Sequence, residues 1–229
     1  MLARASVRRS RGGYVVAVNY ARDKAAARRV VEDIERAGGK AVAVQADVGD
    51  PAGVPALFDT AEARFGPVDI LINNAGMMRL SPVTDATDAD FDDHCAINLG
   101  GTFRGMREGA RRLRDGGRII SVSSSVVGLY QPGYGLYAAT KAGIEALTHV
   151  LAKELGPRGI TVNAIAPGPV ETDFFMRGKS EELVANITRM IPLGRLDRPD
   201  DIADAVAFLA GPESGWVNGQ IIRANGGAV

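Results

Sequence analysis

Tyr137 and Lys141 stand four residues apart in the stretch "YAATK". Four residues is about one helical turn, so a helix opening here places the phenol and the ammonium on one face. A neighbouring ammonium stabilises phenolate and lowers a tyrosine pKa towards the range where the phenol exchanges a proton near neutral pH. Upstream lies the serine run Ser123-Ser124-Ser125. A hydroxyl from such a run can hydrogen-bond a substrate carbonyl and stabilise charge developing on its oxygen. By itself Tyr-x-x-x-Lys also fits an ordinary amphipathic helix. Its weight comes from the serines and from the company of other strand ends.

The elements that must position these residues follow from hydrophobic periodicity. From Val15 onward, short Val- and Ile-rich runs alternate with longer segments whose apolar residues recur every three or four positions. That alternation predicts parallel strands joined by crossover helices, an α/β doubly wound sheet in a single domain. Strands are expected near 14–19, 41–46, 68–73, 117–123, 160–165 and 220–223. Helices are expected near 24–37, 51–65, 88–114, 136–155 and 199–210. Gly38-Gly39 and Gly116-Gly117 read as helix stops. In open parallel sheets the ligand crevice lies beyond the carboxyl ends of the strands. Those ends are small and polar here: Ala46-Asp47-Val48, Asn73-Asn74-Ala75-Gly76, the serine run, and Ala166-Pro167-Gly168.

Composition narrows the function. The 229 residues carry 27 basic and 27 acidic side chains, so there is no global basic field to hold nucleic acid. The single cysteine, Cys95, cannot form an internal disulfide, and no apolar run approaches a membrane span. A cytoplasmic address with no nucleic-acid or membrane partner is expected. His94 and His149 lack companions at metal-ligand spacing, so no metal is expected. Gly101, Gly105 and Gly109 recur every four residues among arginines, which suits close helix packing better than a membrane helix.

Taken together, the chain resembles the short-chain dehydrogenase/reductase family. The resemblance rests on Asp47-Val48, "NNAG" at 73–76, Ile97-Asn98, the serine run, Tyr137-x-x-x-Lys141, Pro167-Gly168 with Thr172, and the closing "NGQIIRANGG". It implies a Rossmann-like fold and hydride transfer between NADP(H) and a carbonyl or secondary alcohol. It also implies that Tyr137 is the general acid/base, that Lys141 holds the nicotinamide ribose, and that Asn98 supports a proton-relay water. The substrate-orienting serine is Ser124, thirteen residues before the tyrosine, with Ser125 as the alternative. Asp47 and Val48 then flank adenine, Asn73, Ala75 and Gly76 border the adenosine ribose and nicotinamide side, and Pro167, Gly168 and Thr172 face the nicotinamide. Asn73 also reads as a tie between central strands. Asn19 stands where NAD-preferring members carry an acid. Its neutrality, with Arg22 close by, favours NADP(H) without excluding NAD(H). The resemblance is nearest to reductases of 3-oxoacyl thioesters and of polyhydroxynaphthalene-like or quinone-like ketones. It implies a mobile substrate loop over 173–196, Phe174-Phe175-Met176 reading equally as core, and a homodimer or homotetramer.

One part of the family pattern is not found. No Thr-Gly-x-x-x-Gly-x-Gly run occurs in the sequence, and such a loop lets backbone N–H groups approach the dinucleotide pyrophosphate. The arginine-rich residues 1–13 stand where the first strand, that loop and a helix belong. They read as an atypical N-terminus, with a mitochondrial presequence or nucleic-acid arm as weaker fits. A fold lacking its first strand and phosphate loop is therefore expected. A non-enzymatic or inactive protein of the same fold is the competing functional reading.

Overall fold

The computed structural model describes residues 15–229. The expectations placed on residues 1–14 lie outside the described residues. β1 (Val15–Tyr20) and β2 (Lys40–Gln45) pair in parallel, with Val15 opposite Lys40 and Tyr20 opposite Gln45. Between them runs α1 (Lys24–Arg36), capped by Asp23 accepting the Ala26 N–H at 2.8 Å. It gives way at Gly38, whose φ of +85° suits a residue without Cβ.

A second sheet takes the order β3-β4-β5-β6, again all parallel. Its strands are β3 (Ile70–Asn73), β4 (Arg118–Val122), β5 (Thr161–Pro167) and β6 (Ile221–Ala224). Every residue of β5 is buried, as expected of a strand covered on both faces. Ile119 and Ile120 on β4 show the two-residue alternation directly. Ile119 packs with Val54, Phe58, Met106 and Leu155 on one side, and Ile120 with Ile202, Val206 and Leu209 on the other.

The covering helices are α2 (Gly53–Phe65), α3 (Asp88–His94), α4 (Gly101–Arg112), α5 (Val126–Leu129), α6 (Gly135–Leu155), α7 (Asp173–Met176), α8 (Glu181–Arg189) and α9 (Pro199–Leu209). The helix expected over 88–114 is interrupted. Residues Cys95–Gly100 form a π-helix between α3 and α4. The segment 173–196, expected as a mobile substrate loop, carries α7 and α8.

The spacing of glycines on α4 is a packing device. A Cβ on Gly105 would stand 2.0 Å from Asn73 Oδ1, one on Gly101 2.9 Å from Val48 Cγ2, and one on Gly109 3.0 Å from Leu71 Cδ2. Only glycines let this helix lie so close to the sheet and bring the π-helix over the strand ends.

Among the described residues no strand lies between β1 and β3, and the two sheets are separate. A cavity of about 970 Å³ lies between them, lined by the whole of β1 and β3 and by Val54, Phe58, Val206 and Ala210. At one end it reaches Asn73, Asn74, Ala75 and Val48, the rim where the polar strand ends gather.

Candidate active site

The parallel register carries the strand ends to one rim. Val122 stands opposite Ile165, and the chain continues with Ser123 N–H donating to Ile165 O at 2.7 Å and Ser125 N–H to Pro167 O at 2.9 Å. This brings the serine run beside the Pro167-Gly168 turn.

Tertiary contacts distinguish the three serines. Ser123 Oγ donates to Glu145 Oε1 at 2.8 Å, and Ser125 Oγ donates to Ala166 O at 3.1 Å while accepting from Asn225 Nδ2 at 2.9 Å. Both are buried, and their hydroxyls are engaged inside the protein. Ser124 is part-exposed; its Oγ accepts the Val126 N–H at 3.3 Å, and its hydroxyl lies close enough to the Tyr137 phenol to favour the phenolate. Alternation along the strand end thus turns Ser124 towards the tyrosine and its neighbours into the core.

Tyr137 and Lys141 do share one face of α6, with Nζ 5.6 Å from the ring centroid. Their protonation differs from the simple expectation of a phenol lowered by its ammonium. Burial pushes the Tyr137 phenol up to about 12, opposed by the neighbouring Ser124 hydroxyl and assisted by Tyr134. Burial also drives Lys141 down to about 8. Desolvation disfavours both charged forms, phenolate and ammonium, and is the leading cause of each shift. Lys141 is only 3% exposed, and Nζ donates to Val122 O at 2.6 Å.

Asn98 sits fully buried in the π-helix. Its amide grips Met77 from both sides, Oδ1 accepting the Met77 N–H at 2.8 Å and Nδ2 donating to Met77 O at 3.0 Å. Nδ2 also donates to Thr140 Oγ1 at 3.2 Å, and Thr140 in turn donates to Tyr137 O at 2.9 Å. Thr140 therefore links Asn98 to the tyrosine's own turn. Reading "YAATK" only for its ends misses this, although the threonine lies inside the motif.

Above these groups the chain leaves room. Asn74, Ala75 and Gly76 are exposed at the rim. A Cβ on Gly76 would stand 3.4 Å from Asn98 Oδ1 and 3.7 Å from Lys141 Nζ. The bare glycine makes a cradle beside a buried cation, and a hydroxylated, electron-rich group such as a ribose fits that donor set. A dinucleotide is thus compatible with the residues present at this end.

The remaining expected site residues have structural duties as well. Asn73 Nδ2 donates to Ser121 Oγ at 3.1 Å, tying β3 to β4. Asp47 Oδ1 accepts the Gly49 N–H at 2.9 Å, shaping the turn after β2, while Val48 packs against α4. Arg104, which sequence reading passes over, donates to Val48 O at 3.0 Å and to Ala96 O at 3.2 Å, bracing that turn on the π-helix. Asn19 Nδ2 donates to Ala46 O at 2.9 Å, so its amide joins β1 to β2, and Arg22 nearby is exposed. Thr172 caps α7 through the Phe175 N–H at 3.4 Å. Gly168 N–H donates both to Ala224 O and to Asp197 Oδ2, each at 3.1 Å. His94 is buried between Arg79 N and Asp90 O, His149 is exposed on α6, and no metal-ligating cluster occurs among the described residues. Among the described residues no helix is long and apolar enough to cross a membrane.

The sequence profile of the family described as Enoyl-(Acyl carrier protein) reductase matches residues 3–229. The "NADPH-dependent aldehyde reductase-like protein, chloroplastic" of Arabidopsis thaliana is 42% identical over 231 residues, covering 95% of this chain and 86% of its own. The 3-oxoacyl-(acyl-carrier-protein) reductase of Staphylococcus aureus is 41% identical over 217 residues, covering 94% and 88%. The solved structure of a Burkholderia cenocepacia dehydrogenase with bound NADP superposes with a TM-score of 0.95 at 32% identity, covering 99% and 88%. The chain belongs to the short-chain dehydrogenase/reductase family.

As a short-chain dehydrogenase/reductase the chain is an oxidoreductase by kinship. Several apolar side chains within 173–196 are open to solvent, while Ile191 is buried. Phe174 on α7 and Leu183 on α8 are exposed, as are Met190 and Leu193 beyond the end of α8.

Proposed function

We propose that the protein reduces a ketone or aldehyde with NADPH, with Tyr137 donating the proton to the carbonyl oxygen. The observation that carries this is the buried Tyr137 phenol, with the Ser124 hydroxyl beside it and Lys141 one turn away. A phenol held at about 12 keeps its proton near neutral pH. It is thus an acid that yields the proton only as negative charge develops on an adjacent oxygen. Ser124 supplies the second hydrogen bond to that oxygen, in the manner of an oxyanion hole. Bound NADPH supplies the hydride. Lys141 and the Gly76 cradle hold its nicotinamide ribose, Asn98 and Thr140 fix the tyrosine's turn, and Pro167, Gly168 and Thr172 border the nicotinamide. Asn98 also supports the proton-relay water through which Tyr137 is recharged. At the other end Asp47 and Val48 flank adenine, with Asn73 and Ala75 along the ribose side. Neutral Asn19 and exposed Arg22 favour the 2′-phosphate of NADP(H) over NAD(H).

The named kinship with an NADPH-dependent aldehyde reductase-like protein, and the bound NADP of a solved neighbour, support this cofactor. The relative named as a 3-oxoacyl-(acyl-carrier-protein) reductase makes 3-oxoacyl thioesters the first class to test, with polyhydroxynaphthalene-like or quinone-like ketones second. The exposed faces of α4 and α6, with Phe103 and Val150, suit a homodimer or homotetramer.

The test is NADPH oxidation over a panel of 3-oxoacyl thioesters, aldehydes and polyhydroxynaphthalene-like or quinone-like ketones. Tyr137→Phe is expected to lower kcat about 10²- to 10⁴-fold. Unchanged turnover by that variant refutes the assignment. A wild-type chain that neither binds nor oxidises NADPH establishes the inactive-protein reading instead.

A further inference from the structure

Asp197 is a buried carboxylate that the proposed chemistry leaves unused. It lies just before α9, 29 residues beyond Gly168 in sequence, yet it is sewn to the turn that leaves β5. Val170 and Asp197 form an isolated parallel bridge. Asp197 N–H donates to Pro169 O at 2.9 Å, Asp197 O accepts the Glu171 N–H at 2.8 Å, and Oδ2 accepts the Gly168 N–H at 3.1 Å. A Cβ on Gly168 would stand 2.9 Å from that oxygen and 3.0 Å from Asn225, so only glycine allows the contact.

The charge at this position is poorly compensated. Asp197 is 6% exposed, and among the described residues it has no cation within ion-pairing distance. The nearest charges that act on it, Arg195 and Asp201, are bonded to each other at 2.6 Å and act on it with opposite signs. Burial raises the Asp197 carboxyl, while the Gly168 N–H opposes that rise. The Asp197 carboxyl group therefore sits directly behind the Pro167-Gly168 turn.

We infer that Asp197 biases the site towards the oxidised cofactor, through a buried negative charge placed behind the Gly168 turn. The inference rests on the proposed placement of the nicotinamide against that turn. Oxidised nicotinamide carries a positive charge and reduced nicotinamide does not, so a fixed anion nearby stabilises NADP⁺ selectively. Two opposite unit charges roughly 10 Å apart at an effective dielectric near 20 attract by an amount equivalent to about tenfold in affinity. Such a bias speeds neither direction by itself. It sets how strongly product NADP⁺ competes with NADPH.

Equilibrium binding of NADP⁺ and NADPH, measured separately by titration calorimetry or cofactor fluorescence, tests the inference without turnover. Asp197→Asn keeps an oxygen for the Gly168 N–H and removes the charge. It is expected to weaken NADP⁺ about tenfold and to leave NADPH within twofold. Asp197→Ala removes both charge and contact, and is expected to weaken the two forms together in addition to that selective loss. If Asp197→Asn does not fold, Asp197→Ser, which is shorter but polar and uncharged, gives the comparison of the two affinities instead. An unchanged ratio of the two affinities, or equal weakening of both by Asp197→Asn, overturns the inference and leaves Asp197 as a structural brace. Failure of the wild type to bind either form overturns the cofactor placement beneath it.

Discussion

Replacing Lys141 with methionine should stabilise the protein near neutral pH while removing a group the proposed chemistry needs. The ammonium is almost wholly buried, and burial drives its pKa from 10.5 to about 8. A shift of roughly 2.5 units corresponds to about 3 kcal/mol by which the fold disfavours the charged form. Methionine fills comparable space without charge, but leaves Val122 O without its 2.6 Å donor. That loss costs about 1 kcal/mol. The net gain expected at pH 7 is about 2 kcal/mol, or roughly 4–8 °C in Tm for a chain of this size. The sign with pH follows from linkage. The folded-state pKa lies below the unfolded one, so between them the unfolded chain binds more protons and wild-type stability rises with pH. The penalty is fully present below about pH 8 and gone above about pH 10.5, and the variant's advantage must shrink across that window. Urea unfolding of both proteins at about pH 7, 8, 9 and 10, followed by far-UV circular dichroism, measures the gap directly. A variant less stable at pH 7, or a gap that does not change with pH, refutes the reasoning.

Two further perturbations probe the elements that hold the site. Gly105→Ala would put a Cβ 2.0 Å from Asn73 Oδ1, displacing α4 or breaking the Asn73–Ser121 tie. A loss of about 1–3 kcal/mol in denaturant unfolding is expected, and a loss below about half a kcal/mol would show that the helix is free to shift. Asp201 accepts from Arg195 and from the Arg198 N–H at the start of α9, and its carboxyl is held down at about 2. Because its folded pKa is depressed, its contribution is present above about pH 4 and lost as pH falls towards 2. Solvent screening of so exposed a pair keeps that contribution near or below 1 kcal/mol. Asp201→Asn should therefore destabilise modestly at pH 7 and hardly at all near pH 2, and a pH-independent effect would assign the loss to capping geometry alone.

Much of the fold was legible because each described strand and its crossover helix carry their own period. The strand expected at 160–165 is found at Thr161–Pro167, and the strand at 68–73 is found at Ile70–Asn73. The interruption at Cys95–Gly100 was not legible. Its apolar spacing continues the helical pattern, and the wider turn follows from the close seating of α4 on Val48 and Asn73 through Gly101 and Gly105. α7 and α8 were also missed, since a loop rich in exposed apolar side chains lacks a buried face to set the period.

At the site, the sequence by itself determined which chemistry is available: a phenol and an amine one turn apart, hydroxyls on a strand end, and small residues at the carboxyl rim. Those are matters of residue type and short spacing, which local geometry converts directly into proximity. The tertiary structure decided which serine faces the phenol, because only the burial of Ser123 and Ser125 against Glu145, Ala166 and Asn225 leaves Ser124 turned towards Tyr137. It also reversed the direction of the tyrosine's shift. Spacing brings an ammonium near the phenol, but removal of both groups from water depends on everything packed around them, and that desolvation is the larger effect.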